Sequence, residues 1–380
     1  GGKCYKWSVS NIKKRHISRS PLEPYITSTL QCDVASKLNW PIKKTMLVAQ
    51  HLYEAGYITY MRTDSTLLSE DILKMTKNEI LSLYGEEYYD RKQYGVNRES
   101  SQEAHEAIRP IAMNALTNDL DNECKALYNL IWKRTMSCQM SKCKIESSQI
   151  FINPDKNKEF SMVGNKSRII FKGYTIVNDK EDNFTQNEYD DIVIPDCSTD
   201  ISVRNIMIKI KEVVDAPPKR YNESQMVKHI TELGIGRPAT YVSMITKGQE
   251  KDYMRCENVS GKEKKLWEIS YNNIKEEIVI SENKVFIGKE DNRLVPTDLG
   301  IIVNDFLLEN FPQVMEINFT AQLEKQLDDI VEGKINWLTV LHDFNKILLP
   351  QIEKFKEKYS KIENKDKYDG NFLNNIIITN

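Results

Sequence analysis

The sequence predicts a multidomain protein, mainly α with one β domain between helical parts. Three observations carry that expectation. A chain of 380 residues is too long for a single small core and suggests two to three domains. The pattern is helical over about 29–147 and again after Pro217-Pro218. Between these stretches, residues 148–216 form strand-like runs separated by Asn- and Asp-rich turns.

Taken in order, residues 1–22 read as an irregular or β segment, and Pro21 and Pro24 punctuate the chain after it. Lys44 to Ala55 has the composition of a helix, with Gly56 as its C-terminal cap. Ser69, Glu70 and Asp71 open another that ends near Gly85, the acids lying where the helix dipole favours them. A third runs from about Asp119 to Met140, with Leu120, Cys124, Leu127, Ile131 and Thr135 at spacings of three and four. Gln149–Asn153, Ser167–Lys172 and Ile201–Ile210 read as strands. Helices are then expected at Glu223–Leu233, Thr240–Lys247, Thr297–Asn310, Thr320–Glu332 and from Asn336 to about Lys361. The charged stretch 255–295 contains strand-like pieces at Ile278–Ile280 and Lys284–Ile287, and 361–380 reads as a mostly disordered tail.

Apolar residues make up 40% and charged residues 28%, ordinary values for a soluble globular protein. No apolar run approaches the ~18 residues that span a membrane, and no apolar leader opens the chain. The expectation is therefore a soluble, intracellular protein with no membrane partner. The seven cysteines include no Cys-x-x-Cys pair, so neither zinc nor a thioredoxin-like site is predicted. No Gly-x-x-x-x-Gly-Lys-Ser/Thr loop is present, so no ATP is implied. A net charge of −2 is silent about nucleic acid. The first 22 residues nevertheless carry Lys3, Lys6, Lys13, Lys14, Arg15 and Arg19 without an acid, fitting either a phosphate backbone or a solvated arm.

The chemistry concentrates in Gly56-Tyr-Ile-Thr-Tyr60-Met-Arg62-Thr-Asp-Ser65. In a short strand after Gly56, Tyr60 and Arg62 would share a face. A phenol, with a pKa near ~10, needs help to attack a phosphodiester. A guanidinium two residues along can hold a phosphate oxygen and stabilise the developing charge. Tyr53 falls inside the preceding helix, and Tyr57 would face the other way with Thr59. On these residues alone a buried structural tyrosine is the favoured reading.

The string Tyr-Ile-Thr-Tyr-Met-Arg-Thr-Asp-Ser resembles the active-site signature of type IA DNA topoisomerases in its bacterial topoisomerase I form. Other segments follow in family order: Pro24–Gln31, Lys43–Gln50, Ser101-Gln-Glu-Ala-His105-Glu-Ala-Ile-Arg109-Pro110, Leu130–Arg134, Pro218–Tyr221, Leu233-Gly-Ile-Gly-Arg237-Pro-Ala-Thr240-Tyr241 and Phe319–Leu323. Together they cover about residues 20 to 345.

The resemblance implies parts of the family's torus: an end segment of the β hinge domain at 1–22, a helical gate domain with the tyrosine at 23–147, the β hinge or arch domain at 148–217, and a helical DNA-binding domain at 218–360. Residues 255–295 look like an insertion in the last of these. Tyr60 is then the nucleophile that forms a 5′-phosphotyrosine, and Arg62 positions the scissile phosphate. His105 and Arg109 approach the DNA backbone, and Arg237 and Thr240 line a single-strand-binding groove. Ala239 stands where the commoner form has serine.

The family's magnesium ligands lie in a Toprim domain, which precedes the Pro-Tyr-Ile-Thr-Ser-Thr region by well over a hundred residues. Only 23 residues precede it here, so those ligands are expected outside this chain. The implied activity is ATP-independent relaxation of negatively supercoiled DNA by strand cleavage, passage and religation, and Met61 leans toward relaxation. The alternatives are a single-strand-binding fragment without turnover, or one subunit that needs a separate Toprim-containing chain. Asp119-Leu-Asp121-Asn-Glu123 has the spacing of the Toprim acids, but it follows no apolar strand and reads as a helix start.

Overall fold

The computed structural model describes residues 7–95, 106–115, 117–154, 162–178, 202–203, 207–215, 217–272, 275 and 277–363. Lys3, Lys6, His105 and most of the expected tail lie outside the described residues. The chain divides into two compact units, Gly1–Lys219 with Asn258–Asp291, and Arg220–Glu257 with Asn292–Asn380.

In the first unit the basic N-terminal stretch is a strand, β1 (Trp7–Arg19), and helices follow: α1 (Thr27–Lys37), α2 (Ile42–Glu54), α3 (Glu70–Leu83) and α4 (Asn122–Cys138). Each boundary has a local cause. Pro41 fixes the entry to α2, and Gly56, at φ +77°, ends it in the left-handed conformation that glycine adopts without steric cost. The N–H of Tyr57 then returns to the Leu52 carbonyl at 2.9 Å, closing the last turn. Asp121 caps α4 by accepting the Cys124 N–H at 2.7 Å, so the acids at 119–123 start a helix as the sequence suggests.

The core forms where α3 meets the end of α4. Ile72, Leu73 and Ile80 pack with Met136, Cys138, Met140 and Val177, and Tyr84, Tyr88 and Trp132 surround them. Burying such side chains contributes about 1.5–3 kcal/mol each before the entropy of ordering is subtracted. The buried face of α3 and the C-terminal end of α4 meet in this cluster.

The β part draws on distant segments. β2 (Cys143–Pro154) and β3 (Met162–Phe171) are antiparallel neighbours, and β1 pairs antiparallel with β2, Ile17 opposite Ile145 and Arg15 opposite Ser147. The order is β3-β2-β1-β4, with β4 (Ser202–Val203) beside β1. The strand expected over Ile201–Ile210 therefore divides. Its second half, β5 (Met207–Lys211), belongs to another sheet.

The second unit begins with α5 (Glu223–Glu232), where Asn222 and Gln225 cap each other reciprocally, and α6 (Tyr241–Glu250). The charged stretch 255–295 spans most of β6 (Met254–Val259) and β9 (Glu290–Pro296) and all of β7 (Lys262–Asn272) and β8 (Glu277–Ile287), the last two belonging to the first unit. The two strand-like pieces expected near 278 and 284 are one strand. β7 and β8 form a hairpin that adds to β5 in the order β5-β7-β8, with Ile210 opposite Ile269 and Ile269 opposite Ile280. This stretch thus pairs with a strand that the sequence reading placed in a different domain. Short-range periodicity reveals strands, but not which distant edge they join.

α7 (Asp298–Asn310), α8 (Ile317–Val331) and α9 (Trp337–Glu363) complete the chain. Thr297 caps α7 through the Gly300 N–H at 3.0 Å. A Cβ at Gly300 would lie 2.0 Å from the Tyr253 carbonyl oxygen, so only glycine fits there. Phe306 of α7 packs against Phe355 of α9, and Phe355 stacks near Tyr359 with centroids 4.5 Å apart.

Candidate active site around Tyr60

Tyr60 sits in an irregular segment between α2 and α3, with bends at Tyr57, Thr59, Met61 and Arg62. The segment does not form the ladder strand expected there; Ile58 makes a single isolated bridge to Pro110. Met61, Thr63 and Ser65 are buried while Arg62 is exposed and Tyr60 half-exposed, but Ile58 and Thr66 are buried too, so strand-face alternation does not run through the segment. Side-chain hydrogen bonds, rather than a sheet, hold this shape.

Two threonines pin the chain on either side of the tyrosine. Upstream, the Thr59 hydroxyl donates to the Ala107 carbonyl at 2.6 Å and accepts the Arg109 N–H at 3.0 Å. The Thr59 N–H in turn reaches the Arg109 carbonyl at 2.9 Å. Downstream, the fully buried Thr27 hydroxyl lies 2.8 Å from the Met61 carbonyl and 3.0 Å from that of Thr63, and it accepts the Thr63 N–H at 2.9 Å. The Thr27 N–H also donates to the Thr63 carbonyl at 2.9 Å. Thr27 lies at the first turn of α1, so a helix terminus grips both residues that flank Arg62.

The start of α1 is itself braced. Tyr25 donates its hydroxyl to Asp33 at 2.6 Å, Arg134 pairs with the same carboxylate, and the Arg134 guanidinium lies 4.2 Å over the Tyr25 ring. Burial, offset in part by Arg134 and reinforced by Asp33, pushes the Tyr25 phenol well above its ordinary range. Tyr25 is therefore a neutral donor and a structural residue.

The three neighbouring tyrosines now separate. Tyr53 projects from α2, and its ring meets that of Tyr60 edge-on at 5.2 Å. Tyr57 packs edge-on against Tyr128 at 5.9 Å. Tyr60 stands between the two pinned points of the segment, at Thr59 and Thr63. Two residues on, Arg62 is exposed and makes no hydrogen bond or ion pair among the described residues.

The other predicted site residues are placed differently. Arg109 turns its guanidinium inward, pairing with Glu106 and donating to the Pro110 carbonyl at 2.8 Å, while its backbone holds Thr59. His105 lies outside the described residues. Among the described residues, no group of three or more His, Cys, Asp or Glu side chains is arranged to hold a metal ion, and Asp121 is engaged as a cap.

In the second unit, Gly234 and Gly236 adopt φ +73° and +77°, and a Cβ on Gly236 would crowd the Tyr241 ring at 3.2 Å. Helix α6 begins at Tyr241, three residues beyond Pro238, so the proline lies in the preceding turn rather than in the first helical turn. Thr240 folds back on the loop, its hydroxyl accepting the Arg237 N–H at 2.9 Å. Arg237 pairs with Glu324 and Asp328 of α8. Burial opposes its charge, but the two carboxylates outweigh that and raise its pKa above the arginine norm. Sequence reasoning missed Thr27, Thr59, Glu324 and Asp328. The motif Phe319–Leu323 ends one residue before Glu324, and Pro24–Gln31 contained Thr27 without marking it.

The DNA topoisomerase family profile matches residues 3–282 and 271–342. A prokaryotic-type DNA topoisomerase 1 of Acanthamoeba polyphaga mimivirus is 34% identical over 390 residues, covering 97% of this chain and 45% of the relative. DNA topoisomerase 1 of Pasteurella multocida is 35% identical, covering 90% and 36%. The structure of full-length topoisomerase I from Thermotoga maritima superposes with a TM-score of 0.70 at 29% identity, covering 91% of this chain and 52% of that one. This chain belongs to the type IA DNA topoisomerase family. It spans about half, or less, of the length of these relatives. Among the described residues no helix is long and apolar enough to cross a membrane.

Proposed function

We propose that this chain supplies the nucleophile and strand-binding parts of a type IA topoisomerase, with Tyr60 as the nucleophile and DNA as the substrate. The Tyr60 oxygen attacks the phosphorus of a backbone phosphodiester and loses its proton. A phosphotyrosine bond forms to the 5′ end of one fragment as the bond to the 3′ oxygen breaks, and that oxygen leaves as a hydroxyl. One ester replaces another, so the bond energy is retained and no ATP is needed. After strand passage the 3′ hydroxyl attacks the phosphotyrosine and reverses the step. On negatively supercoiled DNA, the net result is relaxation.

One observation carries this reading. A half-exposed phenol sits on backbone pinned at Thr59 and Thr63, with the exposed Arg62 two residues away. Pinned backbone places the nucleophile without an entropic penalty at the moment of attack. With no hydrogen-bond or ion-pair partner among the described residues, Arg62 can take a phosphate oxygen directly. Arg109 serves by bracing Thr59, and His105 approaches the backbone from the same segment. Arg237 and Thr240 hold the strand in the second unit. Magnesium ligands belong to a Toprim domain that acts together with this chain.

Incubation with an oligonucleotide labelled at its 3′ end, with and without magnesium, tests the proposal. The expected result is label bound covalently to protein, consistent with a 5′ linkage. Strand binding with no adduct under any condition would instead leave a single-strand-binding protein without turnover.

A further inference from the structure

Just before α6, the arginine that the resemblance places in a single-strand-binding groove is engaged by the protein's own carboxylates. Arg237 donates to Asp328 at 2.5 Å and pairs with Glu324, and Glu324 also accepts the Gly236 N–H at 2.8 Å. Glu324 and Asp328 are one helical turn apart on α8 and therefore share a face. One guanidinium thus meets two carboxylates, so the cluster is net negative where a phosphate would be expected to dock. All three side chains keep solvent contact, with exposures of 38%, 22% and 41%. Ion pairs this exposed are weak and can exchange partners.

From this we infer that Glu324 and Asp328 are built-in competitors for Arg237, which a nucleic-acid phosphate must displace to bind. The inference rests on the reading of Gly234–Tyr241 as a strand-binding segment. The carboxylates keep Arg237 extended and ordered in the absence of DNA. They also lower its affinity for an isolated anion, so that a strand is retained only when neighbouring phosphates add further contacts. Asp328 lets go of the guanidinium first, because Glu324 is also tied to the Gly236 backbone.

The test uses the full chain and a fluorescent single-stranded oligonucleotide, with affinity measured across a salt series. In Glu324→Gln with Asp328→Asn, the acceptor for Gly236 remains and the competing charge is gone. Affinity at low salt is expected to rise by about threefold to tenfold. The salt dependence is expected to steepen by about 0.7 in log–log slope, the increment for one added phosphate contact on a single strand. Arg237→Ala is expected to weaken the native protein and to erase the whole gain in the double variant. Unchanged or weaker binding by a double variant of native thermal stability overturns the inference. So does a gain that persists without Arg237, because that gain would be general field alone. If Arg237→Ala leaves binding and slope untouched in both backgrounds, the strand-binding reading itself fails.

Discussion

The Thr27 hydroxyl lies 2.8 Å from the Met61 carbonyl, tying the start of α1 to the residue that follows Tyr60, 34 positions later in the chain. Thr27→Val keeps the shape but leaves buried polar groups of Met61 and Thr63 unpaired. A loss of about 1–3 kcal/mol in stability is expected, measurable by denaturant unfolding. Adduct formation by Tyr60 is expected to fall as well, with Thr27→Ser restoring both. Native cleavage in a folded Thr27→Val protein would show that the clamp does not position the tyrosine.

Asp33 ties Tyr25 and Arg134 together beneath that clamp. Asp33→Ala would leave Arg134, only 10% exposed at its side chain, without its carboxylate. Destabilisation of about 2–3 kcal/mol is expected, less than for a fully buried pair because Asp33 retains solvent contact. Urea midpoints at unchanged slope would check this, and a shift below experimental error would show the brace to be ornamental.

Tyr128 gives a pH prediction. Burial, with Tyr57 beside it, pushes the phenol to about 12, and its hydroxyl donates to the Ala112 carbonyl at 3.1 Å. The folded state therefore keeps a proton that the unfolded chain releases near pH ~10. Its stabilising contribution is complete below that pH and is lost as pH rises toward 12. Thermal melts of the native protein should fall steeply over this window, and Tyr128→Phe should fall less steeply. Parallel curves for the two proteins would contradict the assignment.

Gly173 has φ +53°, and an added Cβ would lie 2.5 Å from the carbonyl oxygens of Ser141 and Lys142. Because backbone cannot move aside as a side chain can, Gly173→Ala is expected to cost at least about 2 kcal/mol. Differential scanning calorimetry would show a lower melting temperature. An unchanged one would mean that the turn relaxes freely.

The parts of this fold legible in the sequence are those with local causes. Gly56, Ser69, Gly85 and Asp121 mark helix ends by chemistry confined to a few residues, and the structure places helix boundaries beside each. No local signal marks the pairing of β1 with β2, because the four helices α1 to α4 separate Ile17 from Ile145 in the chain. The same holds for β5 and β7. At the site, the signature pointed to Tyr60 and Arg62, yet the threonines that shape their segment carry no mark of their own. Arg109 and Arg237 carry a different lesson. The resemblance marks both as DNA contacts, and their carboxylate partners Glu106, Glu324 and Asp328 had no mark in the sequence.

The central claim is that Tyr60, among three tyrosines within eight residues, makes the covalent bond to DNA. Peptide mapping by mass spectrometry of adducts trapped on a single-stranded oligonucleotide tests it most directly, using the native chain, supplemented with a Toprim-containing chain if needed, beside Tyr60→Phe. The account predicts a nucleotide mass on the peptide containing Tyr60 and no adduct in the variant. An adduct on Tyr53 or Tyr57, or one that persists in Tyr60→Phe, would contradict it.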